Sequence, residues 1–251
     1  MKRPVAMRKF AWLAILGLLA TAAFASKEND QQIQKDVEKL LQGKKQFQEV
    51  RATTDDQIVT LEGTVNLYIN RSDLQKKVQR IKNVEGVRDH VAVSSNVPDD
   101  KLRETLGTKL TYDRVGYGHV FNAVTLDVEN GVVTLGGKVY DYPSRDSAVA
   151  IAESTPGVKD VIDNIEVLPT SNFDDELRMR LFRAIYGSSS LQRYAQNPAR
   201  PIRIVVENGH VTLYGVVDSQ LDKQLAYTQA SSVPGVFSVD NQLVVPAKQE
   251  K

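Results

Sequence analysis

The amino-acid sequence predicts an α+β protein of three tandem αββαβ units, each a small mixed three-stranded sheet packed against two helices. The first observation behind this prediction is a tetrapeptide, Thr-Leu-x-Gly, that ends in Gly63, Gly137 and Gly215. Its copies recur at nearly equal and long intervals, and a period of this length indicates whole domains in tandem. The second observation is an Asn-Gly pair between apolar stretches at 130–131 and 208–209, which is a strong local signal for a β-hairpin.

The N-terminus has the pattern of a secretory signal peptide over residues 1–25. Four basic residues precede an apolar run at 10–20, and Ala23-Phe24-Ala25 forms a site for cleavage after Ala25. The run is shorter than the roughly 20 residues that a membrane-spanning helix needs, although a retained anchor is the alternative. We therefore expect export to the periplasm or to the exterior of a bacterial cell.

The first unit is predicted over residues 29–97. Apolar residues recur at helical spacing over 33–41, and Asp30 is the expected N-cap of this helix. A weaker hairpin follows over 51–65 and is expected to turn near Asp55-Asp56. The remaining elements are a helix that begins at Ser72 or Asp73 and a last strand over 87–93.

The second and third units are predicted over 98–168 and 172–246, with a frayed tail at 247–251. Asp99 or Asp100 is the expected N-cap of the first helix of the second unit. Asp174 and Asp175 stand at the start of the first helix of the third unit, where acidic residues suit the helix dipole. The other expected elements are a helix over 144–154, a strand over 158–167, an insertion rich in Gly, Ser and Pro at 187–201, and a helix near 219–230.

Several glycines are expected to be structural, because they supply permissive backbone at turns and helix exits. Gly86, before the last strand of the first unit, is matched with Gly157 and Gly235 of the later units. It lies slightly farther from the Thr-Leu-x-Gly glycine of its unit than Gly157 and Gly235 do from theirs. The seven structural turn glycines are Gly63, Gly131, Gly137, Gly157, Gly209, Gly215 and Gly235.

The chain resembles the BON family (bacterial OsmY and nodulation domain) through Thr-Leu-x-Gly-x-Val followed farther along each unit by Gly-Val. The segments that carry the resemblance are ENGVVTLGGKV with TPGVKDVIDNIEV, and ENGHVTLYGVV with VPGVFSVDNQLVV. The first unit lacks the Asn-Gly turn and omits an Asn matched between Asn164 and Asn241. The resemblance covers nearly all of the chain after residue 25. It implies the αββαβ fold and a non-enzymatic envelope protein associated with osmotic stress, membrane integrity and phospholipid contact.

No pattern in the sequence points to catalysis, a cofactor or a metal, and we expect no enzyme activity. The chain has no cysteine, and its histidines His90, His119 and His210 stand at unequal positions in the three units. The paired carboxylates Asp55-Asp56 and Asp99-Asp100 fall at a turn and at a helix start, where aspartate is common for local hydrogen bonding. A small-molecule substrate is therefore not expected.

The net charge argues against nucleic acid as a partner. The chain has 32 basic and 31 acidic residues, and loss of residues 1–25 removes four basic residues and no acidic one, which leaves a formal charge of −3. Binding to polyanions works through many Lys and Arg side chains that face phosphates. An export signal and the lack of a GXXG loop point the same way.

Two basic helices and a set of tyrosines are the candidates for binding a partner. A basic amphipathic helix can lie on an anionic bilayer with its apolar residues inserted. For these two helices we favour the alternative, in which the apolar stripe packs on the sheet of its own unit and the cations form a solvated face. The leading expectation is contact with anionic phospholipid or another envelope component, and the alternative is a protein–protein adaptor that uses tyrosine-rich loops and the 187–201 insertion. The candidate contacts are Lys76, Lys77, Arg80, Lys82, Arg178, Arg180, Arg183, Tyr186 and Tyr194.

Overall fold

The computed structural model describes residues 11–115, 120–197 and 199–247, with side chains from Lys27 onward. These residues fall into two compact units, one up to Ser94 and one from Ser95 onward. The first unit contains one αββαβ repeat and the second contains two, so the expected α+β class with three mixed sheets is confirmed. Residues 248–251 of the expected tail lie outside the described residues, as do the side chains of the expected signal peptide. Both stay predictions.

Repeat 1 makes up the first unit. Its sheet has β2 in the centre, antiparallel to β1 and parallel to β3. Apolar residues of both helices pack on this sheet around the fully buried Phe47. Its elements are α1 (Ala11–Gln42), a short 3-10 helix (Lys45–Phe47), β1 (Val50–Asp55), β2 (Ile58–Val65), α2 (Tyr68–Gln79) and β3 (Gly86–Val93).

Repeat 2 opens the second unit and follows the same order. The single strand expected over 158–167 is two short strands, both parallel to the central strand. They are interrupted where the N–H of Ile165 turns back to the side chain of Asp163 at 3.0 Å. The elements are α3 (Asp99–Thr111), β4 (Ala123–Glu129), β5 (Val132–Val139), α4 (Tyr142–Glu153), β6 (Asp160–Asp163) and β7 (Glu166–Val167).

Repeat 3 completes the second unit and contains the expected insertion. The insertion is folded into the repeat, because it includes a short helix and places Leu191 and Tyr194 in the buried core. The elements are α5 (Asn172–Tyr186), α6 (Gln192–Gln196), β8 (Arg203–Glu207), β9 (His210–Tyr214), α7 (Gln220–Ser231) and β10 (Ser238–Asn241).

The starts of several helices differ from the sequence prediction. α1 continues through Asp30, which is therefore not an N-cap. α2 begins at Tyr68, so that Ser72 and Asp73 lie inside the helix, and the N-cap of α3 is Pro98. Asp30, and Asp99 or Asp100, were expected to cap their own helices, whereas the carboxylates of Asp30 and Asp99 accept hydrogen bonds from a distant turn.

The hairpin turn of repeat 1 lies one residue later than expected. Its two residues are Asp56 and Gln57, which have φ angles of 46° and 62°. They take the places of the two Asn-Gly pairs, which also have positive φ at both residues. A two-residue hairpin of type I′ requires this conformation at both positions, so the turn type is retained although the sequence signal is lost.

The match of Gly86 with Gly157 and Gly235 is wrong. Strand register aligns the three repeats on their central strands, and Asn83 then takes the place of these two glycines. Asn83, Gly157 and Gly235 all have positive φ, at 67°, 108° and 97°. Asn is among the few residues that tolerate this region, which explains why the motif was not visible in repeat 1.

The expected match between Asn164 and Asn241 is also wrong by one residue. β5 pairs Leu135 with Asp163, and β9 pairs Leu213 with Asn241, so Asp163 is the counterpart of Asn241. In repeat 1 this position is Asp89. Repeat 1 therefore keeps a short polar side chain at this place rather than omitting it.

The seven structural turn glycines all have positive φ. Gly137 shows the requirement most directly, because its φ is 90° and an added Cβ would overlap the carbonyl oxygen of Ala123 on the paired strand. Gly63 and Gly215 stand in the same way against the carbonyl oxygens of Glu49 and Pro201, which lie just before β1 and β8. Any side chain here would push the two strands of the hairpin apart.

Repeats 2 and 3 pack against each other within the second unit. Ala123, Leu168 and Val205 form a small buried cluster with Tyr214. Val205 lies on the face of β8 opposite to Ile204, which belongs to the helix-side core of repeat 3. Both faces of β8 are therefore covered.

Polar contacts extend this interface between repeats 2 and 3. Lys138 pairs with Glu207 at 2.5 Å, and this hydrogen bond raises the pKa of the lysine. Arg203, which is buried, donates to the carbonyl oxygen of Asn122 at 2.9 Å. Within the part of the chain that the structure describes, no helix is both long enough and apolar enough to cross a membrane.

Candidate functional site

One aspartate in the first helix of each repeat holds the hairpin turn of that repeat. In repeat 3 the carboxylate of Asp174 accepts hydrogen bonds from the N–H groups of Asn208 and Gly209, both at 2.9 Å. Because both turn N–H groups are satisfied, the hairpin end is fixed against the helix. The same pair of bonds joins Asp99 to Asn130 and Gly131 (2.6 and 2.8 Å) and Asp30 to Asp56 and Gln57 (3.2 and 2.8 Å).

A second repeated contact ties the last strand to the second helix. In repeat 2 the carboxylate of Asp163 pairs with Arg145 at 2.6 Å, and in repeat 3 the amide of Asn241 donates to the carbonyl oxygen of Lys223 at 2.8 Å. Each side chain also accepts the N–H of the residue two positions later, at the outer edge of the sheet. This edge is therefore less available for pairing with another strand. Repeat 1 makes both contacts through Asp89, with Arg71 and Val91.

Arg178, which the sequence placed among the contact candidates, lies inside repeat 3 with 4% of its side chain exposed. Its Nη2 donates to the carbonyl oxygen of Val206 at 2.8 Å, and its Nη1 pairs with Asp175. Arg103, which is exposed, makes the equivalent backbone contact in repeat 2, where its Nη2 donates to the carbonyl oxygen of Val128 at 2.7 Å. The sequence carried this signal as DDKLR at 99–103 and DDELR at 174–178. The proposed contact surface therefore excludes Arg178.

Tyr186 and Tyr194 also lie in the core of repeat 3 rather than on its surface. The hydroxyl of Tyr186 donates to the carbonyl oxygen of Ile202 at 2.5 Å, and burial raises its pKa well above the usual range. The hydroxyl of Tyr194 accepts from the N–H of Asp218 at 2.8 Å and donates to Asp222 at 3.2 Å. The contacts of Tyr194 hold the 187–201 insertion on the start of α7.

The basic end of α2 is a solvated face of repeat 1. Leu74 and Val78 are fully buried against the sheet, so the helix keeps no apolar stripe that could enter a bilayer. Such a surface can attract anionic headgroups but cannot anchor in the acyl region. The exposed cations are Lys76, Arg80 and Lys82.

Lys77 is partly withdrawn from this basic face. It pairs with Asp73 one turn earlier at 2.8 Å. The hydrogen bond lowers the pKa of Asp73 and raises the pKa of Lys77, which keeps both groups charged around neutral pH. The pair removes one unit of positive charge from the surface that a headgroup would meet.

An exposed aromatic pair stands at the hairpin end of repeat 3. Phe173 at the start of α5 and Phe237 just before β10 stack with ring centroids 6.1 Å apart. They are 43% and 69% exposed, and the ring of Phe237 covers Gly209 of the turn. Arg180 lies beside them, because its Nη1 donates to the carbonyl oxygen of Pro234 at 2.9 Å. We call Phe173, Phe237 and Arg180 the aromatic tip.

The aromatic tip has no aromatic counterpart in the other repeats. Register places Lys159 in repeat 2 and Glu85 in repeat 1 at the position of Phe237. The position before the clasping aspartate holds Phe173 in repeat 3 but Pro98 and Asn29 in the others. The sequence analysis missed both phenylalanines, although this departure from the repeat was the signal that could have found them.

Three carboxylates of repeat 1 come close together at its hairpin. Oxygen atoms of Asp30, Asp55 and Asp56 lie within 4.8 Å of one another. Asp30 is engaged by the N–H groups of the turn, and the other two side chains are exposed. An acidic turn of this kind does not by itself define a metal site.

The family model of the BON domain matches the chain three times, at residues 29–95, 98–169 and 188–247. The matches cover most of the sequence, and the protein belongs to the BON domain family. The expected resemblance is thereby confirmed. The third match begins inside the insertion, so α5 and the first residue of the aromatic tip lie before it.

Among curated proteins, Osmotically-inducible protein Y of Escherichia coli (strain K12) is 29% identical over 125 residues, which is 48% of this chain and 60% of that protein. The match thus spans less than two thirds of the relative. Among solved structures, two chains of CdsD, a structural protein of the type III secretion system of Chlamydia trachomatis, are 17% and 16% identical. They cover 85% of this chain and 92% and 96% of their own. Their TM-score of 0.24 is too low to establish a shared arrangement.

Proposed function

We propose that the protein is a non-enzymatic cell-envelope protein, exported after cleavage behind Ala25, that contacts anionic phospholipid through the aromatic tip under osmotic or envelope stress. The observation that carries the proposal is the exposed, stacked pair of Phe173 and Phe237 beside Arg180. Membership of the BON family supports the envelope setting, and the similarity to an osmotically inducible protein supports the link to osmotic stress.

The aromatic tip combines the two contributions that bring a protein to a bilayer surface. Its rings are already half exposed and would lose water-exposed area on entering the headgroup region, which stabilises the complex by about 25 cal/mol for each Å² buried. Arg180 and the exposed Arg183 on the same helix can meet lipid phosphates, at about 1 kcal/mol for each cation. Together these contributions are on the order of 4–5 kcal/mol, which corresponds to about millimolar affinity.

A single contact of this strength would be transient. The basic end of α2 offers a second, purely electrostatic contact on the same chain. Two weak sites on one chain raise the effective concentration of each at the membrane. We therefore expect binding that depends on both contacts and weakens steeply with salt.

The test is co-sedimentation of residues 26–251 with vesicles, since this chain retains every buried core residue described above. We expect binding to vesicles with anionic lipid, weaker binding to neutral vesicles, and loss of binding as salt rises. Exchange of both phenylalanines for Ser (F173S/F237S) should reduce binding at low salt by about tenfold. The matched control is Leu221→Ser, which removes an exposed apolar side chain at the start of α7. No binding to anionic vesicles at low salt would contradict the proposal.

A protein–protein adaptor is the second candidate function. The 187–201 insertion supports it less than expected, because Leu191 and Tyr194 are buried. Two tyrosines of repeat 2, Tyr112 and Tyr142, are 65% and 67% exposed and remain available for a partner. Binding by these residues should depend little on salt, which separates this candidate from lipid contact.

A further inference from the structure

We propose that the groove between α1 and β1 of repeat 1 binds a short peptide segment of a partner protein, and that this segment carries an aromatic side chain. The groove consists of two cavities of about 450 and 430 Å³ along the outer edge of β1. It is lined by residues 30–42 of the helix and 50–54 of the strand. This binding site lies in a different repeat from the aromatic tip and takes a polypeptide rather than a lipid.

The corresponding groove of repeat 3 is filled by a segment of the chain itself. The N–H of Ile204, the second residue of β8, donates to the carbonyl oxygen of Val120 at 2.7 Å. The next side chain, Phe121, meets Phe182 of α5 edge to face, with ring centroids 6.3 Å apart. Val120 and Phe121 both pack against the core of repeat 3. A backbone carbonyl and an aromatic ring are thus the two features by which this groove holds its occupant.

Strand register shows that the two grooves are equivalent. Ala52 pairs with Leu61 in repeat 1, as Ile204 pairs with Leu213 in repeat 3. The buried residues of the first helices have the same spacing, so that they correspond at a constant offset of residue number: 33, 37 and 41 in α1, and 177, 181 and 185 in α5. Glu38 therefore takes the place of Phe182.

The groove of repeat 1 is wide because its side chains differ from those of repeat 3. Gln42 stands where repeat 3 has Tyr186, whose ring lies 5.0 Å from that of Phe182. In repeat 3 the groove is filled by two aromatic rings of the helix together with residues 120–121. In repeat 1 two polar side chains stand at the places of those rings, and the groove stays open. An entering aromatic side chain would take the place that Phe121 has in repeat 3.

The backbone of Ala52 faces the groove. Its carbonyl oxygen accepts a hydrogen bond at 2.9 Å from the side chain of Gln34, which lies on α1. The N–H of the same residue belongs to the position that donates to Val120 in repeat 3. The outer edge of a sheet offers such groups to an added segment of chain.

The lining of the groove indicates the chemistry of the segment. Its floor contains the apolar Leu41 and Val50, whereas Lys35, Glu38 and Arg51 provide charges of both signs around it. A mixed rim gives no preference for a strongly charged ligand. The site therefore suits an uncharged segment with one aromatic residue over the apolar floor.

The probe is the peptide HVFNAV, residues 119–124, with blocked ends, added to isotope-labelled residues 26–251 and followed by NMR. We expect shifts of the backbone amides at 34–42 and 50–54, together with slower hydrogen exchange at the Ala52 N–H. A peptide with Ala in place of Phe should bind at least several-fold more weakly. The variant Glu38→Phe should bind HVFNAV about fivefold more tightly, because it restores the aromatic pair of repeat 3.

Variants at Ala52 test the backbone contact. Ala52→Pro removes the N–H on the outer edge and should abolish the shifts, while Ala52→Val keeps the N–H and should bind as the parent does. Spectra without peptide show whether each variant is folded. If the proline variant is unfolded, the affinity of Glu38→Phe for the peptide is the remaining test of the proposal. Shifts confined to repeat 3, or equal affinity with and without Glu38→Phe, would overturn the proposal. The same shifts on raising protein concentration without peptide would overturn the assignment to a partner protein, because a second copy would then be the occupant.

Discussion

Asp174 accepts a hydrogen bond from the N–H of Gly209 at 2.9 Å, across 35 residues of sequence. The two phenylalanines of the aromatic tip lie on either side of this hydrogen bond. Phe173 directly precedes the aspartate, and the N–H of Phe237 donates to the carbonyl oxygen of Gly209 at 2.9 Å. The clasp between helix and turn therefore sets the spacing of the two rings that we propose to meet the membrane.

The aspartate clasp should contribute measurably to stability. Asp99→Ala removes the acceptor of two N–H groups in the turn of repeat 2, and we expect it to lower the free energy of unfolding by about 2–3 kcal/mol. The adjacent Asp100 is exposed and serves as the matched control, for which a change within about 0.5 kcal/mol is expected on Asp100→Ala. Urea unfolding of residues 26–251 measures both. Equal effects of the two substitutions would show that the clasp is not stabilising.

The position of Asp163 should tolerate asparagine, because repeat 3 has Asn241 at the same place. Asp163→Asn keeps the acceptor for the N–H of Ile165 and should cost less than about 1 kcal/mol. Asp163→Ala loses that bond and the contact with Arg145, and should cost about 1–3 kcal/mol. The two midpoints in urea distinguish these outcomes. If the asparagine variant is as unstable as the alanine variant, the ion pair rather than the edge contact dominates.

The turn of repeat 1 should be improved by glycine. Gln57 has a φ of 62°, a conformation that costs a residue with a side chain roughly 1–2 kcal/mol. Gln57→Gly should therefore stabilise repeat 1 by about 1 kcal/mol, since the N–H that Asp30 accepts is retained. The reverse change in repeat 2, Gly131→Gln, should destabilise, and its side chain would also meet that of Lys159. Thermal unfolding of the two variants should move in opposite directions.

Stability should fall at alkaline pH because of buried tyrosines. Burial raises the pKa of Tyr140, Tyr186 and Tyr194, while the unfolded chain loses these protons near pH 10. Above that pH the unfolded state binds fewer protons than the folded state, so the free energy of unfolding decreases as pH rises. Between pH 7 and 9 these groups should have no effect.

Urea unfolding from pH 8 to 11 measures this dependence. Tyr186→Phe should lower stability at pH 8 by about 1 kcal/mol, because Ile202 loses its donor, but should make the alkaline decrease less steep. Tyr142→Phe is the matched control, since that ring is 67% exposed, and should leave the slope unchanged. An identical slope in all three proteins would show that Tyr186 does not contribute.

The sequence predicted the parts of the fold that depend on local chemistry. The two Asn-Gly hairpins and the apolar stripe over residues 33–41 were identified correctly, because turn conformation and helix amphipathicity are written in neighbouring residues. The aspartates Asp30 and Asp99 were expected to be helix caps, since a cap is the commonest local use of such a residue. Each of them instead accepts hydrogen bonds from the hairpin turn of its own repeat, 26 to 32 residues away in sequence, and no local rule identifies a partner at this distance.

The candidate site was less accessible to sequence reasoning. Phe173 and Phe237 lie at opposite ends of repeat 3 in the sequence, and only the folded repeat stacks them. Arg178 was taken for a surface cation because arginine is usually exposed, although the same residue in DDKLR and DDELR marked a structural role. The groove of repeat 1 also became visible only when the fold showed how residues 120–121 fill its counterpart.

The most direct measurement of the central claim is the fluorescence of Phe237→Trp in residues 26–251. The single tryptophan of the full chain is Trp12, so the substituted residue is the only tryptophan in this protein. With anionic vesicles we expect a blue shift of its emission and quenching by lipids brominated in the acyl chains, while Leu221→Trp, at a side chain that is 77% exposed, should show neither. Binding of the protein to vesicles without any change at position 237, or with equal changes at both positions, would contradict membrane contact by the aromatic tip.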